Sequence, residues 1–194
     1  MVRQAERSAA TVEAIAAAAR KLFAQKGFEA TSIDEIAARA GVAKGAVYHH
    51  FASKEDVFAL VLDTVQGELA ALPPPPPSRR LASPVDFIAD SILRYLLAAS
   101  EPAVKRILLV DGPAAVGWQK WREIDAKYFG ATARAAVAAA LGGTPNEREV
   151  DALAHLLLGA VMEAALVCAT APDPKKTARE LTAALKRMLR GLAG

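Results

Sequence analysis

The chain has little of what most enzyme classes and secreted domains need. It holds one cysteine, Cys168, so no intrachain disulfide can form, which fits a reducing cytoplasmic setting. Aromatic residues make up 6% of the 194 residues. No glycine-rich phosphate loop, metal-ligand cluster or internal repeat is found, so no cofactor or metal is expected. The N-terminus has Arg3 and Arg7 but no apolar h-region, so no signal peptide is read. Charge of one sign is scarce too. The formal net charge is +3, and residues 1–60 hold eight Lys/Arg against seven Asp/Glu. A nucleic-acid partner therefore has to be argued from geometry, because phosphate contact needs positive groups on one face and not a large total.

What is present is apolar and helix-forming. Hydrophobic residues reach 53% of the chain, enough for packed cores. Alanine is abundant and β-branched runs are short, which favours an all-α fold. Val12, Ile15, Ala19 and Leu22 recur at helical spacing, with Phe23 beside them, and predict a helix over 9–26 that stops at Gly27. Thr31 or Ser32 can cap a second, two-turn helix over 33–40, since Asp34 and Glu35 stand three residues beyond them. Gly41 ends that helix. A third fits residues 43–50 with Val47 and Phe51 turned inward. Ser53 caps a longer fourth helix, with Val57, Phe58, Val61, Leu62, Val65 and Leu69 along its inner side.

The segment from Leu72 to Ser83 holds five consecutive prolines, which favour a stiff extended chain over a helix. It reads as a loop or spacer, with a proline-rich peptide ligand as the alternative. Beyond it, caps at Ser83, Thr144 and Asp173, each followed by proline, launch further helices. Ile88, Ile92, Tyr95 and Leu96 give a buried stripe on the first of these. A short helix is expected over 102–110, broken at Asp111-Gly112-Pro113. A long one carrying Trp118, Trp121, Ile124, Tyr128 and Val137 follows, then helices over 147–169 and 174–190. The total is about nine helices in three parts: residues 1–62, a connecting helix end and proline-rich loop at 63–83, and residues 84–194.

Two short helices joined by a four-residue turn at Gly41 form a helix-turn-helix pattern. The second presents Lys44, Gly45, Ala46, Tyr48 and His49 outward. Lysine can reach a phosphate or a guanine edge. Glycine and alanine let the backbone approach the bases, and tyrosine and histidine offer hydrogen-bond donors. Thr31, Ser32 and Lys54 flank this set and can bond phosphates. Each alone reads as an ordinary surface or packing residue. Together on one compact unit they point to a DNA major groove.

The segment TSIDEIAARAGVAKGAVYHHFASKEDVF resembles the DNA-binding signature of the TetR family of transcription regulators. The likeness runs from about residue 11 to residue 62. It carries Thr31, Ile36, Ala37, Gly41, Val42, Gly45, Tyr48, Phe51, Lys54 and Glu55 in order. It implies an all-α homodimer with one DNA-binding head per subunit, at 1–62, and a C-terminal ligand-binding and dimerisation domain, at 84–194, in which a small molecule releases the operator. By that resemblance Lys44 to His49 map onto the recognition helix, and Thr31 and Lys54 onto phosphate-contacting positions. Ala46 stands where serine or threonine is common, which removes one hydrogen bond, and His50 serves packing more than contact.

Past residue 70 the likeness thins, although residues 111–125 resemble one branch of these regulators. Phe87, Tyr95, Trp118, Trp121, Tyr128 and Met162 suit an apolar effector pocket, with His155 and Glu163 as polar handles two turns apart on one helix. The same aromatics at helical spacing also read as plain core. The segment 152–170 is almost long enough to span a bilayer, but His155 and Glu163 near its middle are costly in lipid, so no membrane partner is expected. It pairs better with the last helix and the same two helices of a second copy, with Gly159, Ala160 and Ala164 allowing close approach. A repressor acting on a palindromic double-stranded operator is the leading reading, an activator on the same fold the alternative. A small helical enzyme using His155 with Glu163 lacks a placed nucleophile. A protein-interaction scaffold leaves the outward set at 44–50 unexplained.

Overall fold

The computed structural model describes residues 2–73 and 83–192. The proline-rich loop expected between Leu72 and Ser83 lies almost wholly outside them. Among the described residues the chain is helical with no strand. The helices are α1 (Val2–Lys26), α2 (Ile33–Ala40), α3 (Lys44–His50), α4 (Lys54–Ala70), α5 (Pro84–Ala99), α6 (Pro102–Lys105), α7 (Gly112–Val116), α8 (Trp118–Leu141), α9 (Glu147–Thr170) and α10 (Pro174–Gly191). A π-helical segment, Arg106–Asp111, joins α6 to α7 without leaving helical dihedrals. Counted as one interrupted rod, α6 to α7 brings the described set to the nine helices expected.

Three details differ from expectation. Asn146 and not Thr144 caps α9, its Oδ1 accepting from the Arg148 N–H at 2.9 Å. Helix α1 starts well before residue 9. The rod does not break at Asp111-Gly112-Pro113, because Pro113 sits in the first turn of α7, where its missing N–H has no intrahelical role. The break falls at Gly117, whose φ of 79° ends α7.

The chain divides into two compact units: Met1–Gln66 with Pro102–Trp121, and Gly67–Glu101 with Arg122–Gly194. In chain order residues 102–121 belong with the C-terminal part, yet they pack with the N-terminal residues. Buried Ile15, Ala19, Phe23, Ile36, Val47, Phe58 and Leu62 form the core of the first unit. Phe23, Phe28 and Phe58 meet with ring centroids 4.9–5.9 Å apart. Tight local closure explains why α2 and α3, too short to persist alone, are held in place.

The π-helical segment is tied to the turn after α1. Asp111 Oδ2 accepts from the Phe28 N–H at 2.9 Å and lies 3.8 Å from Arg106 Nε. Arg106 Nη2 in turn donates to the Lys26 carbonyl. Trp121 is fully buried in the same unit, its Nε1 donating to the Leu108 carbonyl at 2.8 Å.

The second unit packs α10 along α5 and α9. The N-terminus of α5 fixes that packing. Ser83 Oγ accepts from the Asp86 N–H, and Asp86 pairs with Lys186 and Arg190 of α10. Those cations and the Ser83 hydroxyl hold the Asp86 carboxyl below the usual carboxylate range, with the Lys186 hydrogen bond the largest cause.

Candidate nucleic-acid interface and effector cavity

The head is assembled from local caps. Of the two candidate hydroxyls, Ser32 caps α2: its Oγ accepts from the Glu35 N–H at 3.2 Å, and Glu35 Oε2 accepts from the Ser32 N–H at 2.9 Å. Lys26 also bonds Glu35. These bonds, the Lys26 one foremost, lower the Glu35 carboxyl from 4.5 to about 2. A depressed carboxylate adds stability above its unfolded pKa and loses it as pH falls through the folded one. Glu35→Gln is therefore expected to lower the melting temperature most at pH 6, the gap to the parent closing between pH 4.5 and pH 2. Melts followed by circular dichroism check this, and a gap independent of pH would argue against the carboxylate as cause.

Gly41, with φ of 69°, ends α2 in the left-handed region, where a side chain is strained. Its N–H turns back to the Ala37 and Ala38 carbonyls, and Val42 N–H reaches Ala37 at 3.0 Å. The chain reverses there and α3 begins. Val47 anchors α3 in the core, and Phe51, half-buried, closes its end with an N–H donated to Val47.

Lys44, Gly45, Tyr48 and His49 are exposed, and Ala46 is partly so. Tyr48 is 51% exposed, on a seven-residue helix whose one buried residue is Val47. A Cβ at Gly45 would meet no protein atom within 4 Å, so packing does not require glycine there. Lys44 Nζ bonds Asp34 at 3.0 Å, and that contact raises its pKa, so it is a cation throughout the neutral range. The pair is exposed on both sides, and such pairs exchange readily for a phosphate. Ser32 is exposed at the start of α2.

Two expected contact residues point elsewhere. Thr31 is buried, 2% exposed, and its hydroxyl donates to the Gly27 carbonyl at 2.7 Å. Lys54 Nζ donates to the carbonyls of Phe28 and Thr31 at 2.9 and 3.0 Å and lies 4.2 Å from the centre of the Phe28 ring. Both hold the turn between α1 and α2 from within. The donors expected to reach phosphates are taken up instead by the carbonyls of Gly27, Phe28 and Thr31.

In the second unit, the end of α4 with α5, α8 and α9 encloses a cavity of about 310 Å³. Of the eight residues expected to line an effector pocket, Phe87, Tyr95, Tyr128 and Met162 line this cavity. The other four do not. Trp121 belongs to the core of the first unit, and Trp118, 63% exposed, lies against it with ring centroids 5.0 Å apart. His155 and Glu163 share a face of α9, as their spacing requires, but that face is exposed. The polar groups that do line the cavity, Ser91, Arg94, Asp125 and Thr132, look like ordinary helix-surface residues in the sequence. Cys168 is buried, and burial raises its thiol pKa, which disfavours the nucleophilic thiolate.

Comparison with known proteins agrees with this geometry. Residues 15–61 match the family model for bacterial regulatory proteins of the tetR family, and residues 85–192 that for a tetracyclin repressor-like C-terminal domain. The HTH-type transcriptional regulator AcrR of Shigella flexneri is 31% identical over 93 residues, 48% of this chain and 43% of that protein. The HTH-type transcriptional repressor BepR of Brucella suis is 40% identical over 62 residues, 32% of this chain and 30% of that protein. The chain thus spans less than half the length of either curated relative. A TetR-family transcriptional regulator from Pectobacterium atrosepticum has a similar solved structure, with a TM-score of 0.67, 29% identity and 96% of each chain covered. The paired N- and C-terminal matches, on an all-helical fold with a helix-turn-helix head, place the chain in the TetR family of transcription regulators.

Proposed function

We propose that the protein is a sequence-specific DNA-binding repressor that reads a palindromic operator as a homodimer and is released by a small effector. The observation that carries this reading is α3, a short helix locked to the core by Val47. Its opposite face offers Lys44, Gly45, Ala46, Tyr48 and His49, with Ser32 alongside. Such a helix fits the major groove, where lysine, tyrosine and histidine meet phosphates and base edges and small residues admit close approach. One α3 reads only a few base pairs. A two-fold pair reads two half-sites about one helical turn apart, which is where specificity arises.

The surface of α9 and α10 supports pairing. Helix α9 is long and apolar enough to cross a membrane by length and composition alone, with a mean hydropathy of 2.0, yet only 28% of that window is buried within the chain. Leu156, Val167 and Met188 are exposed on α9 and α10. An apolar face of this kind calls for a cover. The same two helices of a second subunit supply one, as a four-helix contact. A cytoplasmic location follows from access to DNA.

Light scattering at micromolar concentration is expected to give twice the chain mass. Leu156→Glu with Met188→Glu is expected to give a monomer with unchanged helicity and little operator affinity. A monomer mass for the parent protein would defeat the dimeric reading.

A further inference from the structure

The cavity of the second unit has an apolar wall and a charged one. Phe87, Ile92, Tyr128, Phe129, Leu157 and Met162 make most of the apolar wall. Arg94, on α5, makes part of the charged one. Its Nε lies 3.2 Å from Asp90 Oδ2 one turn earlier, and its Nη2 donates to Ser91 Oγ at 3.1 Å. Its Nη1 is buried and has no acceptor. A guanidinium nitrogen kept from water without an acceptor is costly, and such groups in folded proteins usually meet a partner. Asp125, on α8, lines the same cavity at 3% exposure and is held by Arg122 Nη1 at 3.4 Å. Asp90 thus pairs with Arg94, and Asp125 with Arg122.

We infer that this cavity takes a small, uncharged, single-ring compound bearing a hydroxyl group, the ring lying against the aromatic wall and the hydroxyl oxygen accepting from Arg94 Nη1. The inference rests on reading the cavity as the effector site. Size sets the first limit: about 310 Å³ is at the small end of ligand pockets, which run from about 300 to 1,000 Å³. That suits one substituted ring better than a fused polycycle. Charge sets the second. A carboxylate would satisfy Nη1 but add an anion beside Asp90 and Asp125, which already take up the charge of Arg94 and Arg122. An ammonium would face Arg94 and leave Nη1 unsatisfied. A hydroxyl supplies the missing acceptor without adding charge, and the Asp125 carboxylate, an acceptor for its proton, lines the same cavity.

Calorimetric titration of the full chain near neutral pH with 4-ethylphenol, ethylbenzene and 4-ethylbenzoate tests this. The three share a ring and differ in the group offered to Arg94. The phenol is expected to bind at least about tenfold tighter than either of the others, the size of one hydrogen bond to a charged group. Arg94→Met is expected to reduce the phenol to the level of ethylbenzene, and Arg94→Lys to retain part of the preference. The comparison among ligands on the parent protein stands even if a variant folds poorly. Equal binding of ethylbenzene, tighter binding of the benzoate, or no binding of any of the three would overturn the assignment. Operator release is read separately. Phenol binding without release would leave the ligand class standing and defeat the effector reading. Release by an unrelated compound, with no phenol binding, would do the reverse.

Discussion

Replacing Lys44 and Tyr48 together with alanine is expected to weaken operator binding by at least about a hundredfold while leaving helicity and dimer mass unchanged. Both side chains project from α3 away from the core, Tyr48 at 51% exposure and Lys44 bonded only to exposed Asp34. Neither therefore supports the fold, and surface truncations of this kind change stability by about 0.5 kcal/mol or less. A well-placed base contact is worth about 1–3 kcal/mol, and each change acts twice in a symmetric dimer. The single variants separate the roles further. If Lys44 meets a phosphate, Lys44→Ala weakens all sequences alike and flattens the salt dependence. If it meets a guanine edge, discrimination at one base pair is lost instead. Band-shift titrations at two salt concentrations distinguish the cases. Unchanged affinity in the double variant would remove α3 from the interface.

The second large effect is on stability. Trp121→Ala is expected to cost about 3–5 kcal/mol, the range for truncating a fully buried aromatic side chain. The indole is completely enclosed, and its Nε1 satisfies the Leu108 carbonyl within the π-helical segment. Trp121→Phe keeps most of the apolar contact and removes that donor, so it is expected to cost less, about 1–3 kcal/mol, for leaving a buried carbonyl unpaired. Trp118→Ala, at an exposed position, is expected to fall within about 0.5 kcal/mol of the parent. Urea unfolding with unchanged slope resolves the three. If Trp121→Ala left stability intact and altered only the response to an effector, the indole would belong to a ligand site after all.

That contrast shows what the sequence can and cannot disclose. The head was legible because its signals are local. Ser32 and Glu35 lie three residues apart, Gly41 sits where the chain must reverse, and Val47 lies among polar neighbours. Each device is complete within one turn of helix, so spacing alone identifies it. The bonds of Thr31 and Lys54 were not legible, because their acceptors are the Gly27, Phe28 and Thr31 carbonyls of a turn whose closure depends on tertiary packing.

The cavity was only half legible for the same reason. Aromatic residues on an amphipathic helix announce that they are buried, but not against what. Tyr95 and Tyr128 therefore line the cavity while Trp121 enters another core. The spacing of His155 and Glu163 correctly gave a shared face but could not say that it points outward. Arg94 and Asp125 escaped notice because a charge on a helix normally faces water. Only the joining of α5 to α8 makes them a polar wall. The π-helical turn at Arg106–Asp111 has no sequence signature beyond the glycine and proline that follow it.

The central claim is that α3 of two identical subunits reads DNA. Selection of duplexes from a random pool by the purified full chain tests it most directly. The retained sequences are expected to share an inverted repeat whose half-site centres lie about one helical turn apart, and the Lys44→Ala, Tyr48→Ala double variant is expected to enrich none. Retention of no common sequence, or the same enrichment by the double variant, would contradict it.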